Sequence, residues 1–223
     1  MQGNEGEQAY IPALKYNWLT ALYDPLLRWT LRERTFKERL VQQAGITAGQ
    51  HVLDLGCGTA TLTLLIKQTH RDAEVVGLDG DRKVLDIARV KLARAHMNVS
   101  LIQGMSYALP FPDNTFDRVV SSLLFHHLTR ENKQRTLREV LRVLKPGGEL
   151  YVADWGQAGN GLMRLAFFAV QLLDGFETTC DHVNGRFLEL WTETDFQHVR
   201  QTVSYRTLFG TVSLFQAHKP LAE

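Results

Sequence analysis

Apolar residues follow two rhythms along this chain, and their alternation predicts an α/β architecture. Short runs suited to strands occur at His51–Leu55, at Val75-Val76-Gly77-Leu78 running up to Asp79, at Val99–Gln103, at Phe116–Ser122 and at Glu149–Asp154. The adjacent Val119 and Val120 point to a strand buried on both faces, as in a parallel sheet. Between these runs apolar residues recur at helical spacing, with Val84, Leu85, Ala88 and Leu92 in one segment and Leu137, Val140, Leu141 and Leu144 in another. Helices are therefore expected over Leu31–Ala44 (stopping at Gly45), over Thr61–Gln68, after Asp81 as cap, and over Glu131–Leu144 (stopping at Lys145-Pro146-Gly147-Gly148). Two last strands, Val199–Tyr205 and Thr211–His218, are joined across Thr207–Gly210, a link too short for a parallel crossover. The pattern predicts a Rossmann-like, doubly wound, mostly parallel seven-stranded sheet with an antiparallel C-terminal hairpin strand.

Composition narrows the classes. At 223 residues the chain has the length of a single domain with one substantial core. A net charge of +1 and the lack of any Lys/Arg run argue against a nucleic-acid partner. Cys57 and Cys180 make no disulfide framework and have no metal-ligand spacing, so no metal is expected and a reducing, cytoplasmic setting is the simplest. Residues 2–8 are polar and carry no signal pattern; residues 1–8 read as disordered. The longest apolar stretch, Leu165–Val170, is too short to span a bilayer.

The most informative chemistry lies at the end of the first strand. Val52-Leu53-Asp54-Leu55 runs into the turn Gly56-Cys57-Gly58, and a second carboxylate, Asp79, follows about 20 residues on at the end of the next strand. In nucleotide-binding sheets an acid at that spacing meets ribose hydroxyls. A dinucleotide turn would carry a third glycine at position 61, where this chain has Thr61. Asp54 beside the turn would repel a diphosphate and attract a cationic head. S-adenosyl-L-methionine, with its ammonium and sulfonium, fits that charge. Asp54 could equally tie down the turn by accepting backbone N–H groups, and the two roles are compatible.

These residues, taken with Asp54-Leu55-Gly56-Cys57-Gly58-Thr59, Gly77-Leu78-Asp79, Leu109-Pro110-Phe111-Pro112-Asp113-Asn114-Thr115-Phe116-Asp117, His126-His127-Leu128 and Leu144-Lys145-Pro146-Gly147-Gly148, resemble the class I S-adenosylmethionine-dependent methyltransferases. Within that class the resemblance is to the group of the ubiquinone and menaquinone C-methyltransferases. It covers residues 45–155 firmly and the flanks more loosely. It implies a helical cap over residues 1–44, a cofactor-binding core over 45–155, an acceptor-side insert over 156–196 and the terminal hairpin over 197–223.

The resemblance also implies roles. Asp54 and the Gly56-Cys57-Gly58 turn hold the amino-acid end of the cofactor, and Asp79, with Gly80 beside it, binds the ribose. Two departures stand out: Ala60 replaces a third glycine, and Gly104-Met105-Ser106 replaces Gly-Asp-Ala, whose aspartate meets the adenine amino group. Met105 can pack on the adenine, and Ser106 can replace part of the polar contact. Ser121 and Ser122 end the fourth strand beside the methionine portion, contributing backbone carbonyls, and Tyr23 of the cap is a candidate contact to the sulfonium. His126, His127 and Asp154 are the candidate catalytic bases, each with a structural reading beside it. Asp113, Asn114 and Asp117 read as turn or framework residues and Trp191 as packing. The insert, with Phe167, Phe168, Leu172 and Leu173 before Cys180, Asp181, His182, Asn184 and Arg186, is an apolar wall with a polar mouth.

The implied activity is methyl transfer to a small, fairly apolar acceptor such as a quinone precursor or phenol. A phospholipid or amine N-methyltransferase, which would touch a membrane peripherally, is the second enzyme reading. A non-catalytic S-adenosylmethionine-binding regulatory protein, motivated by Ala60 and Met105, is the third. A nicotinamide oxidoreductase is the weakest.

Overall fold

The computed structural model describes residues 33–157, 176–207 and 210–222. Residues 1–32 of the expected helical cap, with Tyr23, and the apolar part of the insert, with Phe167, Phe168, Leu172 and Leu173, lie outside the described residues. In chain order the elements are α1 (Glu33–Ala44), β1 (His51–Leu55), α2 (Thr61–Thr69), β2 (Glu74–Asp79), α3 (Arg82–Arg94), β3 (Ser100–Gln103) and β4 (Phe116–Ser122). A 3₁₀ turn (Phe125–His127) leads to α4 (Arg130–Val143), β5 (Leu144–Trp155), α5 (Phe176–Val183), α6 (Phe187–Thr192), β6 (Gln197–Arg206) and β7 (Thr211–His218).

The strands form one seven-stranded sheet in the order β3-β2-β1-β4-β5-β7-β6. β1 to β5 are parallel, and β7 runs antiparallel to both β5 and β6, as the short hairpin link requires. The chain winds outward from β1 to β3 and then resumes on the other side of β1 with β4. Loops leaving the carboxyl ends of β1 and β4 therefore diverge and open a crevice, the usual ligand position in such sheets.

Both faces of the sheet are covered, because alternate strand residues point to opposite sides. In β5, Tyr151, Ala153 and Trp155 join Phe36 and Leu40 of α1 and Leu62 and Ile66 of α2. Leu150 and Val152 point the other way and join Leu137 and Val140 of α4 and Leu190 and Trp191 of α6. Each fully buried Leu, Ile, Val or Phe side chain among these contributes about 1.5–3 kcal/mol.

Local chemistry sets the helix ends. The Asp81 side chain accepts the Lys83 N–H at 2.8 Å and starts α3. Thr129 accepts the Asn132 N–H at 3.3 Å and starts α4. One boundary differs from expectation. Leu144 does not end α4 but begins β5, pairing with Phe116, and the register shifts before Arg118 meets Glu149. Pro146 and the two following glycines are thus absorbed as an irregularity inside a longer strand instead of separating helix from strand.

At the outer margin, β6 is mostly exposed, and its pairing with β7 slips twice, between Gln197 and Arg200 and between Gln201 and Val203. His198 sits there with a φ of 53°. Among the described residues no helix is long and apolar enough to cross a membrane.

Candidate functional site

The turn after β1 is built by backbone contacts that only small residues permit. Gly56 has a φ of 71°, and a Cβ there would come within 2.9 Å of the Leu124 side chain. The N–H groups of Gly56 and Cys57 both donate to the Leu78 carbonyl, at 2.8 and 2.9 Å, closing the turn onto β2. Ala60, in the place of the third glycine, caps α2 with left-handed angles (φ 59°, ψ 34°). Such a conformation costs an alanine about 1–2 kcal/mol. Its methyl is wholly buried in a small cluster with Ala88 and Leu92, so it adds no bulk to the open side of the turn.

Two carboxylates bracket this turn, and the structure distinguishes them. Asp79 is held through both oxygens: Oδ2 accepts the Gly58 N–H and Oδ1 the Asp81 N–H, each at 2.9 Å. Burial raises its carboxyl above the usual range, against the pull of these bonds. A carboxylate has about four lone-pair sites, so acceptor capacity is left for two hydroxyl groups. The Gly80 carbonyl beside it receives the Gln103 side-chain amide at 3.3 Å.

Asp54 is almost wholly buried, at 1% exposure. Its Oδ2 accepts the Thr63 hydroxyl at 2.5 Å, while Oδ1, among the described residues, has no hydrogen-bond partner. Burial pushes the carboxyl up to about 6, opposed by the Thr63 hydrogen bond and by the Lys37 charge from α1. An unpartnered carboxylate oxygen closed off from water fits a cationic ligand group, which would satisfy the oxygen and stabilise its charge. The residues around the turn therefore suit the ammonium end of S-adenosylmethionine.

The other expected contacts divide in kind. Cys57 is a buried thiol packed against Gly77, pushed strongly up by burial and by the neighbouring Asp54 and Asp79, so it stays protonated. Met105 is half-buried just beyond β3. The Ser106 hydroxyl is taken by Thr136 of α4 at 2.9 Å, which leaves that hydroxyl tied to the framework. The Ser121 hydroxyl donates to the Leu55 carbonyl at 2.8 Å, stitching β4 to β1 at the crevice. Asp117 holds the His51 N–H and the Lys145 ammonium, at 2.9 and 2.8 Å.

At the carboxyl ends of β4 and β5 the candidate bases come together. Asp154 is fully buried; Oδ2 accepts the Phe125 N–H at 2.8 Å, and Oδ1 meets the Trp155 N–H and His126 Nδ1, both at 2.7 Å. Burial alone would raise this carboxyl, but His126, and then His182, hold it well below the ordinary carboxylate range. The Asp154 oxygens thus turn inward, where they fix the His126 ring. The His127 ring lies 3.9 Å from that of His126 and is pushed down to about 3, first by burial and then by His126. It remains neutral at ordinary pH.

Three residues carry parts of this arrangement without a signature in the sequence. Thr63 sits on the buried face of α2. Lys91 of α3 donates to the Thr59 and Thr61 hydroxyls, each at 2.9 Å, bracing the glycine turn from outside. Lys133 of α4, fully buried, donates to the Thr178 carbonyl at 2.5 Å and to Asp181 at 3.1 Å. The sole hint of Lys133 is a lysine inside an otherwise regular amphipathic helix.

Comparison with known proteins agrees with this geometry. The profile of the methyltransferase domain family matches residues 52–148. A demethylmenaquinone methyltransferase of Listeria monocytogenes is 32% identical over 194 residues, covering 78% of this chain and 78% of the relative. Another, from Symbiobacterium thermophilum, is 35% identical over 144 residues, covering 63% of this chain; the match spans only 55% of that relative's length. A crystal structure of a SAM-dependent methyltransferase from Methanosarcina mazei shares the fold, with a TM-score of 0.64 at 21% identity, covering 79% of this chain and 95% of that one.

Proposed function

Because the chain belongs to the class I S-adenosylmethionine-dependent methyltransferases, in the group of the ubiquinone and menaquinone C-methyltransferases, we propose that it methylates a ring carbon of a small, fairly apolar, phenol-like quinone precursor. The enzyme class and the cofactor, S-adenosylmethionine, come with the family. The acceptor is our reading, supported by what the Listeria and Symbiobacterium relatives are named for.

The observation that carries the cofactor part of the reading is the unpartnered Oδ1 of Asp54 at the glycine turn, with Asp79 fixed beside it. Asp54 receives the ammonium, Asp79 the ribose hydroxyls, and Met105 lies against the adenine. Ser106, whose hydroxyl is already shared with Thr136, can offer the adenine its backbone N–H. When bound, the cofactor supplies an electrophilic methyl group on a sulfonium, whose departure leaves a neutral thioether.

On the acceptor side, a phenol hydroxyl must lose its proton before the neighbouring ring carbon becomes a good nucleophile. His126 is the group we assign to that proton. Its Nδ1 faces Asp154, which holds the ring orientation and stabilises the imidazolium that forms. Asp154 is a positioning residue. After the new carbon–carbon bond has formed, the ring C–H proton passes to solvent, which restores the aromatic ring as a phenolate, and the His126 imidazolium returns its proton to the phenolate oxygen. The remaining contribution of the protein is to align the two reactants and exclude water.

Incubation of the purified protein with donor carrying a radiolabelled methyl group, across quinols, phenols, amines and phospholipid vesicles, tests the reading. Label on a ring carbon of a quinol or phenol is expected. Label confined to amines or phospholipids would replace the acceptor assignment.

A further inference from the structure

His182, near the end of α5, is tied to the carboxyl end of β5: its Nδ1 lies 2.8 Å from the Trp155 carbonyl oxygen. A carbonyl only accepts, so Nδ1 carries the hydrogen and Nε2 is left as a bare acceptor. That nitrogen is closed to water and, among the described residues, has no hydrogen-bond partner. Burial pushes the imidazole down to about 4, against Asp154, which favours the charged form; Lys133 and His126 also act on it, disfavouring charge. Nε2 is therefore unprotonated at neutral pH.

The surroundings are both flat and rigid. The Phe187 ring stacks on His182 at 4.3 Å with an interplanar angle of 29°. α5 is pinned to α4 by Asp181, which holds buried Lys133 at 3.1 Å and Arg130 at 2.6 Å. A buried acceptor without a donor is unusual in a native fold and calls for an explanation. Its place supplies one. β1, β4 and β5 are neighbours, and Leu55 is in register with Ser121 and Val152, so Trp155, which anchors His182, lies two strand spacings across and three residues beyond the end of β1, about 14 Å from where the cofactor turn begins. His126, beside Asp154, is between them in the strand order.

We infer that His182 Nε2 accepts a hydrogen bond from the second hydroxyl of a hydroquinone, the one that keeps its proton while His126 takes the other. This rests on the acceptor reading above and deepens it. His182 becomes the residue that selects the reduced, hydroxyl-bearing ring over its quinone or its ether. His126 and His182 then grip the two ends of one ring.

The test compares a 1,4-naphthohydroquinone, handled without oxygen, with its monomethyl ether as acceptors. His182→Asn keeps a donor for the Trp155 carbonyl and deletes the acceptor at Nε2. It is expected to raise KM for the hydroquinone about tenfold, as loss of one hydrogen bond implies, while KM for the ether and cofactor affinity by calorimetry stay unchanged. His182→Gln, which returns an acceptor oxygen near the same place, is expected to recover part of the preference. Unchanged discrimination in His182→Asn, with wild-type activity on the hydroquinone, overturns this assignment alone. A wild-type protein that methylates no quinol overturns the acceptor reading and this assignment with it. If His182→Asn loses cofactor affinity through misfolding, His182→Gln decides, and its failure to favour the hydroquinone overturns the assignment.

Discussion

The Gly58 backbone N–H and the Asp79 carboxylate meet at 2.9 Å, although 21 residues separate them in the chain. The glycine turn and the end of β2 are therefore one unit, braced from outside by Lys91 on Thr59 and Thr61. A group that binds at the turn and a group that binds at the acid share one rigid support.

Replacing Asp79 by alanine is expected to weaken S-adenosylmethionine binding about a hundredfold or more, as the loss of two hydrogen bonds to a charged group at about 1.5–3 kcal/mol each implies. The Gly58 and Asp81 N–H groups lose their acceptor at the same time, so a smaller loss of stability accompanies it. Isothermal titration and urea unfolding separate the two effects. Unchanged affinity would refute the ribose assignment.

Asp54 predicts a pH dependence. Its folded carboxyl stands at about 6, raised from an ordinary value of 3.8, so the ligand-free fold binds this proton more tightly than the unfolded chain does. The stabilisation from this group is fully present below the unfolded value and is lost as pH rises through about 6. The shift corresponds to about 3 kcal/mol. A cationic ligand offsets that loss by favouring the ionised form. Cofactor affinity is expected to rise between pH 5 and 7, with a proton released on binding, measurable by calorimetry in buffers of different ionisation enthalpy. Asp54→Asn is expected to raise the melting temperature of the ligand-free protein while lowering its affinity. Affinity that stays flat across this window would count against the ammonium assignment.

His126→Gln is expected to lower kcat on a phenolic acceptor by about a hundredfold or more, the ordinary contribution of a general base. Cofactor affinity measured by calorimetry should not change, since His126 is placed on the acceptor side. A variant with full kcat would remove His126 from the chemistry.

Lys133→Met addresses the framework. With the ammonium gone, Asp181 keeps Arg130 at 2.6 Å but loses its buried cation, and the Thr178 carbonyl loses the Lys133 hydrogen bond. A loss of about 3 kcal/mol is expected in urea unfolding, the low end for breaking a buried pair because a second cation remains. No change would mean that α5 is held by packing alone.

Much of this molecule is legible in its sequence, for physical reasons that differ by region. β1, β2 and β4 are short apolar runs ending in turn residues, and nothing else in the chain competes for that reading. The antiparallel pairing of β7 followed from the length of its connection. The early start of β5 at Leu144 did not, because Pro146, Gly147 and Gly148 look like a break, and only the partner strand shows that the chain stays extended through them. The two acids of the turn were readable from spacing. Thr63 on Asp54, Lys133 on Asp181 and the inward turn of Asp154 toward His126 were not. Each is a contact between elements, set by how helices pack and not by any local pattern. Tyr23 remains a proposal from resemblance.

The irregular margin formed by β6 bears on how copies of this protein behave in a crowded solution. Twice-slipped pairing and a left-handed His198 leave its free backbone groups out of step with any straight incoming segment. A foreign strand would find no continuous ladder to lengthen, a recognised safeguard against amyloid-like stacking. Edge-to-edge pairing of copies through β6 is thus disfavoured.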